Sequence, residues 1–286
     1  DHADLASAWR AFIGEMGIDP GALVGASIAV AGPADAEIVK LTNSPWVIRR
    51  PGLAEALGTP EVLLLNDFGA MAWGVSALPP ADLAHVAGPD TPLPSEGVIS
   101  VIGPGTGLGL AQLIRRGGRT LIVECEGGHV DFAPLDPFED TLLTRLRPLH
   151  GRVSVERLVS GPGLAAFREA VAGELGEAAA PLQDADLWAR ALAADDPLAQ
   201  AALERLVLSY GAVAGDFALA QGAAGVALVG DLTGRILETL RGGAFFARFI
   251  AKGRHQKRMT AIPVRWAAHT QVGLLGAAVA FDARNS

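Results

Sequence analysis

The sequence predicts an α/β protein of two domains, with a cleft between a small α/β domain and a larger α+β one. Three observations predict it. The 286 residues are 50% apolar, enough to bury one large core or two smaller ones. Short aliphatic strands alternate with helical stretches, as in a sheet flanked by helices. Two glycine-broken strand ends, at Gly32 and at Gly103–Gly109, lie far apart in the chain, a pattern of two domains that face a common cleft.

Along the small domain, Leu5, Trp9, Phe12, Ile13 and Met16 make one apolar stripe on a helix that Gly17 closes. Residues 26–31 read as a buried strand ending at Gly32 and Pro33, and residues 38–42 as another short strand. Residues 51–57 form a short helix with Pro51 in its first turn and Gly58 beyond its end. Residues 62–65 are an aliphatic strand running into Asn66 and Asp67, and residues 68–78 are helical, which makes a strand-to-helix corner. Residues 79–96, rich in Pro, Gly, Asp and Ser, predict a loop or linker. The small domain is therefore expected to hold residues 1–78 and 270–286, and the large domain residues 79–269.

In the large domain, residues 98–102 form a strand leading into Gly103-Pro104-Gly105-Thr106-Gly107-Leu108-Gly109, and residues 110–114 and 120–123 flank Gly117-Gly118 as a hairpin. Most of residues 135–222 read as helix, broken at Gly151 and at Ser160–Gly163. Residues 226–229 are a buried strand, residues 230–234 a loop and residues 236–250 a helix. The chain closes with a strand at 263–266 and a helix at 272–281. No internal repeat is visible.

A formal charge of −8 and the lack of any long Lys/Arg run argue against a nucleic-acid or membrane surface. A polyanionic ligand would then depend on backbone N–H groups and a metal ion. The single cysteine, Cys125, excludes a disulfide framework and a cysteine-based zinc site, and suits a reducing compartment, so the expected location is the cytoplasm.

Three segments carry candidate chemistry. In the run 103–109, alternating glycines allow unusual dihedrals and present N–H donors without Cβ obstruction, as a phosphate chain requires, and Thr106 adds a hydroxyl. The spacing is neither the dinucleotide fingerprint nor a P-loop, and a tight glycine hairpin is the equal alternative. Asp67, at a strand end, can take a proton from a hydroxyl while Asn66 binds neighbouring hydroxyls; the competing reading is that Asp67 caps the next helix. Glu126-Gly127-Gly128-His129, with Glu156 downstream, could hold vicinal hydroxyls, against a hydrogen-bonded loop histidine and a solvated helix charge. The scattered histidines do not make a zinc site.

Taken in order, Leu41-Thr42-Asn43-Ser44-Pro45-Trp46, Leu65-Asn66-Asp67-Phe68, the 103–109 run, Glu126-Gly127-Gly128-His129-Val130-Asp131-Phe132 and Ser154–Gly163 resemble the bacterial glucokinase family over nearly the whole chain. The resemblance implies the actin/hexokinase-like (ribonuclease H-like) fold and transfer of a phosphoryl group from ATP, with Mg²⁺, to the 6-hydroxyl of glucose. It implies Asp67 as the catalytic base, with Asn43, Asn66, Glu126, His129 and Glu156 on the sugar. Gly103, Gly105, Thr106 and Gly107 would lie on the nucleotide phosphates and Gly230 near the adenosine. Asp231 stands where the family usually has a second glycine. One cysteine excludes the cysteine cluster of the zinc-containing relatives. A homodimer is consistent with the resemblance. The alternative is a sugar-binding or regulatory protein on a kinase scaffold that has lost catalysis.

Family members open with a strand carrying Asp-x-Gly-Gly-Thr, which nothing in this sequence matches. The natural protein is therefore expected to carry a further N-terminal stretch long enough for a few strands. Without it, strands 26–31 and 62–65 are expected to lack paired neighbours, and residues 1–286 alone to be a poor kinase. A naturally shortened, inactive relative is the alternative.

Overall fold

A computed structural model describes residues 2–32, 34–41 and 45–285. Two compact units emerge, residues 1–77 with 271–286, and residues 78–270.

The first unit begins with α1 (Leu5–Met16), which Asp4 and Ser7 cap reciprocally and Gly17 ends in the left-handed conformation. The predicted stripe is only partly used: the Trp9 indole donates to the Leu57 carbonyl, whereas Phe12 and Met16 are exposed. β1 (Ala26–Val30) is followed by β2 (Ile38–Lys40) and β3 (Val47–Arg49), an antiparallel pair whose second strand the sequence pattern did not reveal. Strand β2 is shorter than expected. Next come α2 (Leu53–Leu57), β4 (Val62–Asn66) and α3 (Asp67–Ala77). Strands β1 and β4, expected to lack paired neighbours in this chain, pair with each other in parallel from Ala26↔Val62 to Val30↔Asn66. Among the described residues this sheet has two strands.

The second unit departs from expectation at once. Inside the stretch expected to be loop lies β5 (Leu83–Ala87), antiparallel to the last strand of the sheet. Its apolar residues were masked by the prolines before it and the Gly88-Pro89-Asp90 run after it. β6 (Gly97–Pro104), β7 (Leu108–Arg116) and β8 (Arg119–Cys125) form an antiparallel meander. Gly117 and Gly118, with φ of 58° and 74°, make the two-residue β7–β8 turn, a geometry open to few residues other than glycine.

Then follow α4 (Pro137–His150), α5 (Gly163–Glu174), α6 (Asp184–Ala193) and α7 (Pro197–Ala220). After β9 (Gly225–Leu228), the region read as a loop and one helix is three short helices: α8 (Asp231–Arg235), α9 (Leu237–Arg241) and α10 (Ala244–Ile250). Gly242 and Gly243 break it, the latter at φ 96°. α11 (Gln256–Thr260), β10 (Val264–Ala267) and α12 (Val272–Asn285) finish the chain, and α12 returns to the first unit.

The six-stranded sheet has the order β5-β10-β9-β6-β7-β8, with β10, β9 and β6 mutually parallel. Ile102, Leu110, Val226, Leu228 and Val264 of the sheet share one core with Phe138, Leu164, Phe167, Leu206, Tyr210 and Phe245 of the helices. Each such side chain fully buried contributes ~1.5–3 kcal/mol. The parallel strands end together, so the segments following β6 and β9 emerge side by side.

Candidate functional site

In the first unit the site is built at the C-terminal end of β4. Asn66 accepts hydrogen bonds at Oδ1 from the Phe68 and Gly69 N–H groups, at 2.9 and 3.2 Å, and its Nδ2 donates to the Gly32 carbonyl at 3.3 Å. Asn66 is therefore the N-cap of α3, the role that the sequence pattern offered to Asp67. It also ties the end of β4 to the segment after β1. Asp67 is the first residue of the helix, half-buried, with Oδ1 accepting from the adjacent Phe68 N–H at 2.8 Å. Its carboxylate lies in the first turn, at the positive end of an eleven-residue helix. Asn43 lies outside the described residues.

In the second unit, the glycine-rich run is a tight hairpin: β6 and β7 stay paired through Gly103↔Gly109 and Pro104↔Leu108, and residues 105–107 make the turn. The expected unusual dihedrals are absent here, since none of Gly103, Gly105, Gly107 and Gly109 has positive φ. Glycine serves close approach instead. A Cβ at Gly103 would strike the Val229 carbonyl, and one at Gly107 would strike the carboxylate of Glu156. Gly105 and Thr106 form the exposed tip, and a Cβ at Gly105 would meet open space.

The turn is braced from two sides that sequence patterns did not indicate. The Gly161 N–H donates to the Gly105 carbonyl at 2.7 Å, from the Ser160–Gly163 turn that precedes α5. Glu156 Oε2 accepts the Leu108 N–H at 2.9 Å. Glu156 is thus half-buried against the hairpin, whereas the competing reading made it a solvated charge. Gly230, at φ 90°, leaves β9 beside the turn, and a Cβ there would come 3.5 Å from the Pro104 carbonyl. Directly after it α8 begins, with the exposed Asp231 in its first turn.

Glu126 precedes, and His129 ends, a short 3-10 turn, Gly127–His129. Both side chains are exposed, with His129 Nε2 3.8 Å from Glu126 Oε2. Gly128 between them packs against the Leu108 carbonyl, and a Cβ on it would lie 3.4 Å from Glu156 Oε2. The structure therefore brings Glu126, His129, Glu156 and the 105–107 turn into one neighbourhood of the second unit, with Gly230 on the flank of the turn. Asn66 and Asp67 belong to the first unit. No group of three or more His, Cys, Asp or Glu side chains among the described residues could hold a metal ion. No helix among them is long and apolar enough to cross a membrane.

The family model for glucokinase matches residues 1–284. A glucokinase of Zymomonas mobilis subsp. mobilis is 49% identical over 282 residues, 98% of this chain and 86% of its own length. A glucokinase of Xanthomonas euvesicatoria pv. vesicatoria is 41% identical over 289 residues, 99% of this chain and 85% of its own. The crystal structure of a glucokinase from an Antarctic psychrotroph superposes with a TM-score of 0.86 at 31% identity, covering 100% of this chain and 87% of that one. The architecture is that of the hexokinase-type sugar kinases. Within that class, the chain belongs to the glucokinase family.

Proposed function

We propose that this protein transfers the γ-phosphoryl group of ATP to the 6-hydroxyl of glucose, with Asp67 as the general base. The observation that carries the assignment is the division of labour at the end of β4: Asn66 caps α3, so the Asp67 carboxylate is not needed as the cap. A half-buried carboxylate at a helix N-terminus is placed to receive the proton of an attacking hydroxyl. Glu126, His129 and Glu156 would take hydroxyls near the anomeric end of the sugar. The exposed tip at Gly105 and Thr106 would meet the phosphates, with Gly103 and Gly107 shaping the turn and Gly230 beside the adenosine.

Phosphoryl transfer asks the protein for positioning and charge neutralisation rather than covalent chemistry. Mg²⁺ in this role neutralises charge on the transferring phosphates. Mg²⁺ is commonly held by one or two carboxylates together with the nucleotide's own phosphates, so it would not need a cluster of protein ligands. The unpaired Cys125 thiol suits a cytoplasmic enzyme, and a homodimer fits the family.

The test is a coupled ADP-release assay over a panel of hexoses, with Asp67→Asn and Asp67→Ala compared at saturating sugar. Both variants should lose about 10²–10⁴-fold in kcat with glucose affinity by calorimetry nearly unchanged, because the base acts in the transition state. Near-normal turnover in Asp67→Ala would remove Asp67 from the mechanism. Tight glucose binding by the unsubstituted full-length protein without any binding of ATP would instead make it a sugar-binding protein on a kinase scaffold.

A further inference from the structure

Glu156 occupies a notch that two glycines leave open. A Cβ on Gly107 would collide with its carboxylate, and one on Gly128 would come 3.4 Å from Oε2. Gly107 belongs to the proposed phosphate turn, and Gly128 lies between Glu126 and His129. The carboxylate therefore sits between the two proposed substrate sites, bonded to the backbone of the turn and within reach of any side chain placed at Gly128. Its Oε2 is committed to the Leu108 N–H, which anchors the return strand of the turn. Its Oε1 accepts no hydrogen bond among the described residues. A carboxylate has acceptor capacity for both tasks at once.

We propose that Glu156 is a positioning residue that couples the two sites, holding the Leu108 N–H at the foot of the phosphate turn through Oε2 while Oε1 takes a sugar hydroxyl. This rests on the proposed glucokinase reading and adds to it, since a purely sugar-binding Glu156 would leave the nucleotide untouched. The physical link is short. A hydroxyl donating to Oε1 fixes the carboxylate plane, that plane fixes the Oε2 contact, and the contact fixes residues 105–107. Ordering the turn before the nucleotide arrives lowers the cost of nucleotide binding, which appears as cooperativity between the two ligands.

Calorimetry on the full-length protein, with the non-hydrolysable nucleotide AMPPNP and Mg²⁺ in the absence and presence of saturating glucose, tests the coupling. In the unsubstituted protein glucose should tighten AMPPNP binding. Glu156→Ala should weaken AMPPNP about ten-fold or more and abolish its dependence on glucose, as expected for loss of a charge-assisted hydrogen bond. Glu156→Gln should keep both within about three-fold, because its amide oxygen still accepts the Leu108 N–H and its NH₂ still reaches the hydroxyl. His129→Ala serves as control, weakening glucose but leaving AMPPNP affinity in the absence of glucose unchanged.

Unaltered AMPPNP binding in a folded Glu156→Ala protein, with glucose binding weakened in His129→Ala, overturns the coupling alone. An unsubstituted protein that binds neither ligand overturns the glucokinase reading and the coupling with it. Should Glu156→Ala fail to fold, Gly107→Ala places a methyl group against the carboxylate while Glu156 remains. It should lose AMPPNP affinity to the same degree, and unchanged affinity there overturns the proposal.

Discussion

At the scale of single residues, the Asn66-Asp67 pair shows how two adjacent polar side chains divide incompatible tasks. The helix needs an acceptor for its first N–H groups, and a base needs a carboxylate that is not the sole partner of those groups. Asn66 meets the first need with Oδ1 and uses Nδ2 on the Gly32 carbonyl, so it is fixed at both ends of its amide. Asn66→Ala should therefore cost about 0.5–2 kcal/mol of stability by urea denaturation. It should also lower kcat more than it raises the KM for glucose, because Asp67 is then recruited toward the cap. Asn66→Asp should recover most of the stability, since the carboxylate still accepts, yet it places a second negative charge beside Asp67. The acid limb of the kcat profile should then move to higher pH, because a neighbouring like charge makes Asp67 hold its proton more tightly. An unmoved acid limb would mean that Asp67 does not set it.

At the scale of elements, α3 is placed by α12 through two glycines. A Cβ on Gly276 would overlap the Ala70 carbonyl and lie 2.5 Å from the Gly74 nitrogen, and one on Gly74 would strike the Val272 carbonyl. The two helices therefore pack backbone to backbone, and any side chain at the crossing forces them apart. In an exposed helix, Gly→Ala stabilises by about 1 kcal/mol through backbone propensity. At this crossing the clash outweighs that gain, so Gly276→Ala should destabilise the protein by about 1–3 kcal/mol. Because α3 begins at Asp67, the same variant should lower kcat without any change near the phosphate turn. Equal or greater stability in Gly276→Ala would show that the crossing relaxes freely.

The strand-to-loop run around Gly103 and the aliphatic strands read at 62–65 and 226–229 were legible as short apolar runs stopped by turn residues, and the structure places them at 62–66 and 225–228; the helical reading of most of 135–222 held for α7 without showing where that helix begins. Strand β5 was not legible, since five residues between proline and glycine runs read locally as linker, and only pairing with β10, some 180 residues later, makes them a strand. The same holds for β3, which exists because β2 lies opposite it.

For the whole molecule, acid stability turns on the charges that bind α4, α7 and α10 together. Asp136 caps α4 and meets Arg205 and Arg248, and Glu139, 1% exposed, accepts from the Leu135 N–H and faces Arg248. Burial pushes the Asp136 carboxyl up, but the Glu139 N–H and the two guanidiniums outweigh it, and it sits below its ordinary value of 3.8. Its contribution is present above that value and is lost as the pH falls through the depressed one. Glu139 runs the other way. Burial raises its carboxyl above the ordinary 4.5 despite the Leu135 N–H and Arg248. The folded state then binds its proton more tightly than the unfolded state, and stability is lost as the pH rises from 4.5 through the raised value. Glu139→Gln removes that loss. The unfolding free energy of the unsubstituted protein minus that of Glu139→Gln should therefore fall as pH rises above 4.5, measured by urea titration in half-unit steps. A difference independent of pH would show that Glu139 titrates alike in both states.

By itself the sequence determined the class of fold, the glucokinase resemblance and the candidate residues, because residue type, periodicity and motif order are properties of the chain read locally. It could not determine what each of those residues touches. That Asn66 rather than Asp67 caps α3, that the glycines at 103 and 107 serve close approach rather than unusual dihedrals, and that Glu156 grips the Leu108 N–H were decided by tertiary structure alone. The physical reason is that a hydrogen bond or a steric limit belongs to a pair of groups, and here the partners are brought together by sheet register and helix packing, across 48 residues of chain from Leu108 to Glu156 and across more still from Gly103 to Val229.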